Sequence, residues 1–245
     1  MSILHQTALS IRSKIRQILP AQPCVLCGQM SHAGHWCPAC LASLPYLNGP
    51  HCPVCALPNS MGDICGRCLQ HPPAFDRTSA AFAYRFPIDR LIQAMKYADQ
   101  LVLAHALGKQ LAQRIAPESL PDCLLPMPLH PLKLRERGYN QALLLSQIVA
   151  RIHRLRLLPN AVRRVRDTPA QSSLHGRERE NNMKDAFAGT MDLRGLRVAL
   201  VDDVMTTGAS LNALARAVRE AGAVSVDAWV VARTLPHRPA RTDEF

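Results

Sequence analysis

From Val198 to Leu211 the chain reads VALVDDVMTTGASL, an apolar run that ends in two adjacent carboxylates and then passes into a turn of small and hydroxyl-bearing residues. Val198, Ala199, Leu200 and Val201 are apolar without interruption, the pattern of a parallel strand buried on both faces. The run therefore predicts a short strand with Asp202 and Asp203 at its carboxyl end, where open α/β sheets bind ligands. Thr206, Thr207, Gly208, Ala209 and Ser210 supply hydroxyl donors and a glycine, so that successive backbone N–H groups can turn toward one anion. From Ala209 onward, Leu211, Leu214, Ala215 and Val218 fall at i, i+3, i+4 and i+7. That spacing predicts a helix whose positive end meets the same anion.

This order of strand, paired acids, turn and helix resembles the ribose-5-phosphate binding motif of the phosphoribosyltransferases. The resemblance implies that Asp202 and Asp203 hold the ribose hydroxyls of phosphoribosyl pyrophosphate. It also implies that the loop Thr206, Thr207, Gly208, Ala209 and Ser210 cradles the 5-phosphate. The plainer reading is an Asp-rich turn before an N-capped helix, and it leaves the match of order, spacing and residue type unexplained.

Eight of the nine cysteines form four C-x-x-C pairs: Cys24/Cys27, Cys37/Cys40, Cys52/Cys55 and Cys65/Cys68. Adding 28 to any cysteine of the first two pairs gives a cysteine of the second two, so the segment is an internal duplication. A C-x-x-C turn aims two thiolates at one ion, and two such turns complete a tetrahedral zinc shell. Two structural zinc ions are expected, most simply one per copy, with interleaved pairing left open by the sequence. Redox chemistry is the competing use of C-x-x-C, and four pairs at a fixed repeat count against it. His32, His35 and His51 lie nearby, but eight cysteines make them surplus as ligands. Cys123, in an apolar CLLPMP stretch, is expected in the core.

The formal charge is +11. A Zn²⁺ ion with four thiolates carries −2, so two filled sites would lower the total to about +7. The excess is concentrated between residues 151 and 184, where Arg151, Arg154, Arg156, Arg163, Arg164, Arg166, Arg177, Arg179 and Lys184 face only Asp167, Glu178 and Glu180. Such a segment is a solvated face, or a site for nucleic acid or a polyphosphate. Few aromatics are interleaved with it, which gives base stacking little support. No apolar segment reaches the roughly 20 residues that span a bilayer. No signal-peptide core with a cleavage site is visible either, so a cytoplasmic address is the expectation.

Residues 1–20, with Arg12, Lys14 and Arg16 and apolar Ile11, Ile15, Ile18 and Leu19, read as an N-terminal helix. The cysteine module spans 21–72, and His71-Pro72-Pro73 marks a boundary. A second domain covers 75–235, followed by a tail over 236–245. Within that domain, strands are expected at 78–86, 123–127, 162–165 and 224–231. Helices are expected at 88–97, 101–115 and 139–157, the last with Leu143, Leu144, Ile148 and Ile152 on one face. Residues 128–137 and 166–182 read as loops. The alternation predicts an α/β fold: a phosphoribosyltransferase type I-like parallel sheet flanked by helices, behind a small Cys₄ zinc-ribbon module.

Two further stretches carry basic groups that could meet phosphate. One is PMPLHPLKLRERGYNQ, with Lys133, Arg135 and Arg137 before Gly138, and with Asn140 and Gln141 entering a helix. The other is residues 163–187, with Arg164, Thr168, Gln171, Arg177 and Asn181 along a loop able to close over a substrate. Lys96, in QAMKYAD, becomes a pyrophosphate candidate beside the ribose-phosphate motif. These pieces, in this order behind the cysteine module, are similar to the ComF family and the related GntX proteins over residues 24–233.

The resemblance implies binding of a phosphoribosyl pyrophosphate-like ligand with Mg²⁺. It also implies a role in natural competence, in DNA uptake and processing, with single-stranded DNA or a DNA-processing protein as partner. As a transferase with an unnamed acceptor, such a protein would use Asp202 and Asp203 at the ribose. Lys96, Arg135 and Arg137 would meet the leaving pyrophosphate, with Arg164 and Arg177 on the closing loop. The alternatives are a non-catalytic sensor of the same ligand that engages DNA or protein, and an adaptor with a vestigial pocket.

Overall fold

The computed structural model describes residues 21–32, 34–97, 101–165 and 186–236. Residues 1–20, those beyond Pro236, residues 98–100, and Thr168, Gln171, Arg177 and Asn181 lie outside them.

In the cysteine module, strands β1 (Gln22–Pro23) and β2 (Met30–Ser31) pair antiparallel, and helix α1 (Pro38–Ala42) begins at Cys37. The second copy repeats this with a bridge between His51 and Pro58 and with helix α2 (Gly66–Gln70) beginning at Cys65. The offset of 28 extends to the hydrogen bonds. Cys24 N donates to Gln29 O at 2.9 Å and Cys52 N to Leu57 O at 2.8 Å. Gly28 N donates to Cys24 O at 2.8 Å and Ala56 N to Cys52 O at 2.9 Å.

Beyond the module come β3 (Arg77–Ala83), α3 (Ile88–Tyr97), α4 (Leu101–Arg114), β4 (Cys123–Pro126), α5 (Pro131–Arg137), α6 (Gln141–His153) and β5 (Arg156–Leu157). The chain continues with β6 (Val162–Arg164), β7 (Phe187–Gly189), β8 (Arg197–Met205), α7 (Ala209–Glu220) and β9 (Ser225–Arg233). Five strands form one parallel sheet in the order β3-β9-β8-β4-β5, and β6 and β7 form a separate antiparallel pair.

Both faces of the sheet are covered, which is why its strands are apolar at nearly every position. Ala199, Val201, Trp229 and Val231 join the core with α3, α4 and α6, while Val198, Leu200, Ala228 and Val230 join the opposite core with α7 and the β6/β7 pair. The module closes the free edge of β3. Leu47 N donates to Ala81 O at 3.0 Å and Ala83 N to Pro45 O at 2.8 Å, so residues 45–47 act as a short antiparallel neighbour. No helix among the described residues is long and apolar enough to cross a membrane.

Three expectations need correction. The loop expected over 128–137 contains α5, started by Pro131 at its first turn with the His130 ring as cap, and stopped by Gly138 at φ +78°. The helix expected over 139–157 ends at His153, where Arg154 turns left-handed at φ +57°, and the chain then enters β5. Its buried face is Ala142, Leu145, Ser146, Val149 and Ala150, not the larger Leu143, Leu144, Ile148 and Ile152. Ile148 instead packs at the rim of this face, on Gly108 of α4, where a Cβ would lie 3.1 Å from Ile148 Cβ.

Candidate functional site

The connection from β4 leads outward to β5, whereas that from β8 leads the other way to β9. Crevices form between two strands whose connections diverge in this way, at their carboxyl ends. β4 pairs with β8 only as far as Pro126 opposite Val201. β8 itself runs on to Met205, paired with β9, so the acids lie two to three residues short of the carboxyl end at which they were expected. Only on the β4 side is the backbone uncovered from Asp202 onward. The acids stand at the mouth of the crevice because one neighbouring strand stops before the other.

The two acids differ in environment. Asp203 is buried, and its Oδ2 lies 2.6 Å from Nζ of Lys96 in the last turn of α3. Burial alone would lower the Lys96 pKa, but the Asp203 charge and hydrogen bond outweigh it and raise the ammonium's pKa. Asp202 is half-buried, and its Oδ1 accepts from Asp203 N at 2.8 Å. Burial first, and then the neighbouring Asp203 charge, push the Asp202 carboxyl up to about 8. One acid is thus ion-paired, while the other is held well above the usual carboxylate range by burial and its neighbour's charge.

Past Met205, Thr206 and Thr207 are exposed, and Gly208 takes φ +87° immediately before α7. Only glycine holds that conformation without strain. Thr207 Oγ1 accepts from Ala209 N at 3.3 Å, at the start of α7, whose first-turn N–H groups have no partner within the helix. Ala209 and Ser210 are half-buried there. Phe75 packs under the turn, 3.7 Å from where a Gly208 Cβ would stand.

Beside the acids lies an open cleft of about 570 Å³ lined by Lys96, Tyr97, Lys133, Glu136, Arg137 and Arg164, together with Leu129 and Gln141. Lys133, Glu136 and Arg137 share one face of α5. Arg135 falls off that face and is exposed, so Lys96, Arg137 and Arg164 come together while Arg135 does not. Arg137 is held by Gln141 Oε1 at 2.6 Å and stands 5.2 Å from the Tyr97 ring centroid. The Thr206–Ser210 turn does not line this cleft, and the Lys96–Asp203 pair is what joins the two regions.

Each copy of the cysteine module gathers its own four sulfurs. Cys24, Cys27, Cys37 and Cys40 form one group and Cys52, Cys55, Cys65 and Cys68 the other, with the ligand atoms of each within 4.8 Å of one another. Cys27 and Cys37 sulfurs are 3.8 Å apart, and those of Cys55 and Cys65 3.7 Å. A tetrahedral ion with Zn–S bonds of about 2.3 Å requires edges of about 3.8 Å, so both groups fit zinc, one per copy.

Burial pushes the Cys24 thiol up, but backbone N–H groups of Cys37, Cys27 and Leu26 outweigh it and bring it down to about 6. Cys65, Cys55 and Val54 do the same for Cys52, at about 7. Cys40 is pushed up by the Cys37 sulfur first, and Cys68 by burial first. His35 bonds His105 at 2.7 Å and His51 bonds Gly49 O at 2.8 Å, and neither belongs to a sulfur group. Cys123 is buried in the sheet as expected.

Sequence reasoning missed Tyr97 and Glu136, which alternate with residues it did name. It also missed Arg233, whose buried guanidinium donates to Cys55 O at 2.7 Å and Met205 O at 3.0 Å. An arginine closing a buried strand, AWVVAR, was the available signal.

The sequence matches two family models: the double zinc ribbon domain over residues 15–69 and the phosphoribosyl transferase domain over residues 142–244. It is 34% identical to DNA utilization protein YhgH of Escherichia coli strain K12, over 86% of this chain and 97% of that one. It is 36% identical to competence protein F of Haemophilus influenzae, over 69% of this chain and 78% of that one. Competence protein ComFC of Bacillus subtilis is 24% identical, over 81% of this chain and 84% of that one.

Proposed function

The chain belongs to the family of DNA utilization protein YhgH and competence protein F, and from that premise we propose that it binds phosphoribosyl pyrophosphate or a related ribose 5-phosphate ligand at the end of β8, in the service of DNA uptake and processing. The observation that carries the reading is the crevice between β4 and β8, where Asp202, the Lys96–Asp203 pair and the Thr206–Ser210 turn converge. Asp202 carries the one outward carboxyl able to meet ribose hydroxyls. Asp203 holds Lys96, and Lys96 presents a cation to the cleft. Gly208 and the first turn of α7 offer N–H donors to a 5-phosphate.

Transfer from such a ligand breaks the C1–O bond to pyrophosphate and forms a bond from C1 to the acceptor, with positive charge on the sugar ring between the two events. The chain's contribution is electrostatic and positional. Asp202 would meet the ribose hydroxyls beside the developing cationic ring. Lys96 and Arg137 lie on the cleft side, where the leaving pyrophosphate is neutralised, and Arg164 adds a third positive group. Mg²⁺ would supply further neutralisation of the phosphates there when bound. With Asp203 already paired to lysine, the donor set suits an ion held mainly by the ligand's own phosphates. Arg135, exposed and off the cleft face, has no part in this set.

Incubation with phosphoribosyl pyrophosphate, Mg²⁺ and a panel of nucleobases and single-stranded oligonucleotides, following pyrophosphate, tests turnover. Release that depends on one acceptor supports a transferase and names its substrate. Binding without release under every acceptor supports a sensor instead. The sensor reading is favoured by the cleft's Tyr97 beside Lys133, Arg137 and Arg164, a combination suited to a single-stranded nucleic acid.

A further inference from the structure

Arg233, the last residue of β9, is 1% exposed, and among the described residues no carboxylate pairs with it. Its guanidinium instead reaches four backbone carbonyls. Nε donates to Cys55 O at 2.7 Å, and Nη1 donates to Met205 O at 3.0 Å, to Thr234 O at 2.9 Å and to Thr206 O. A second guanidinium follows the same course, with Arg67 of α2 donating to Thr207 O at 3.2 Å. The carbonyls of Met205, Thr206 and Thr207 are therefore all drawn toward the second cysteine group. In a trans peptide the N–H lies opposite the preceding C=O, so the amides of Thr206, Thr207 and Gly208 are turned away from that group. Fixing three carbonyls on one side is what sets three donors on the other.

A guanidinium buried without a counter-charge is costly. Zinc held by Cys52, Cys55, Cys65 and Cys68 carries a net charge of about −2, and it sits on the residue whose carbonyl Arg233 holds. We propose that the second zinc site is the counter-ion of Arg233, and that through Arg233 and Arg67 it holds the Thr206–Ser210 turn in its anion-binding conformation. The two zinc sites are then unequal despite their duplication. The first, with Cys24, Cys27, Cys37 and Cys40, meets α4 through the contact between His35 and His105 and, among the described residues, makes no bond to the turn. Arg233 and Arg67 are positioning residues. That the turn holds a phosphate rests on the function proposed above; its linkage to zinc does not.

Amide hydrogen exchange on the full zinc-loaded chain tests this without any ligand. Cys65→Ser and Cys37→Ser remove equivalent ligands from the second and first sites, and Arg233→Lys keeps both zinc sites and the charge but cannot span Cys55, Met205 and Thr206. In Cys65→Ser and Arg233→Lys, exchange in a peptide covering residues 205–211 should rise about tenfold or more, with the Val230 and Val231 amides still protected. Cys37→Ser should leave that peptide unchanged, and Arg233→Lys should retain two zinc ions. Equal acceleration in Cys65→Ser and Cys37→Ser, or none in Arg233→Lys, would overturn the proposal. Absence of ligand binding in the wild type would count against the proposed function alone, because the exchange pattern is read without ligand.

Discussion

Lys96 Nζ and Asp203 Oδ2 lie 2.6 Å apart at the point where α3 meets β8, and each is the other's main compensation for leaving water. The pair joins the acid end of the strand to the basic cleft. Its removal from either side has different consequences.

Lys96→Met leaves Asp203 buried with no cation. Losing one partner of a mostly buried pair should destabilise the fold by about 2–4 kcal/mol. Adding Asp203→Asn should restore more than half of that, because the uncompensated charge disappears with it. Urea denaturation of the wild type, both single variants and the double variant closes the cycle.

Gly208 allows the turn at φ +87°. Gly208→Ala should lower stability by about 1–2 kcal/mol through backbone strain, since the Phe75 ring at 3.7 Å leaves room for a methyl group. A fall in thermal midpoint with unchanged zinc content is the expected result.

Asp202 gives stability a definite pH dependence. Its carboxyl is raised from 3.8 to about 8 in the folded state, so between those values the native chain binds the extra proton. Its contribution is full below pH 4 and is lost as the pH rises toward 8, with a slope of at most about 1.4 kcal/mol per pH unit. Denaturation of wild type and Asp202→Asn near pH 5 and near pH 8 should show the larger loss in the wild type.

Metal analysis should find two zinc ions per chain, one for each sulfur group. Cys24→Ser or Cys52→Ser should each lower the content toward one, and Cys123→Ser should leave two.

The cleft gives nucleic-acid binding a measurable signature. If single-stranded DNA lies along Lys133 and Arg137, removing either should make the plot of log affinity against log salt shallower by about 0.7. Arg135→Ala, off that face, should alter the slope less.

Much of this architecture was legible in the residues. The i, i+3, i+4, i+7 spacing placed Leu211, Leu214, Ala215 and Val218 on the buried face of α7, where they are found. The 28-residue offset carried through to hydrogen bonds and to one sulfur group per copy, settling what spacing alone left open. Local signals were also present for α5, with Pro131 at its start and Gly138 at its end, but its charged composition read as loop.

The buried face of α6 was not legible, because two apolar stripes compete on this helix and the sheet and α4 select the one with Ala142, Leu145 and Val149. Nor was the length of β8, which is set by β9 rather than by its own apolar run. Arg233 is the clearest case: its partners Cys55 and Met205 lie 178 and 28 residues away in sequence, and only the fold brings them together.

Calorimetric titration with phosphoribosyl pyrophosphate and Mg²⁺, comparing wild type with the Asp202→Ala, Asp203→Ala double variant, tests the account at its centre. The wild type should bind, and the double variant, with both zinc ions retained, should bind about 100-fold more weakly or not at all, a difference of about 2.7 kcal/mol. Equal affinity in the two proteins would contradict the assignment of the β8 acids to the ribose.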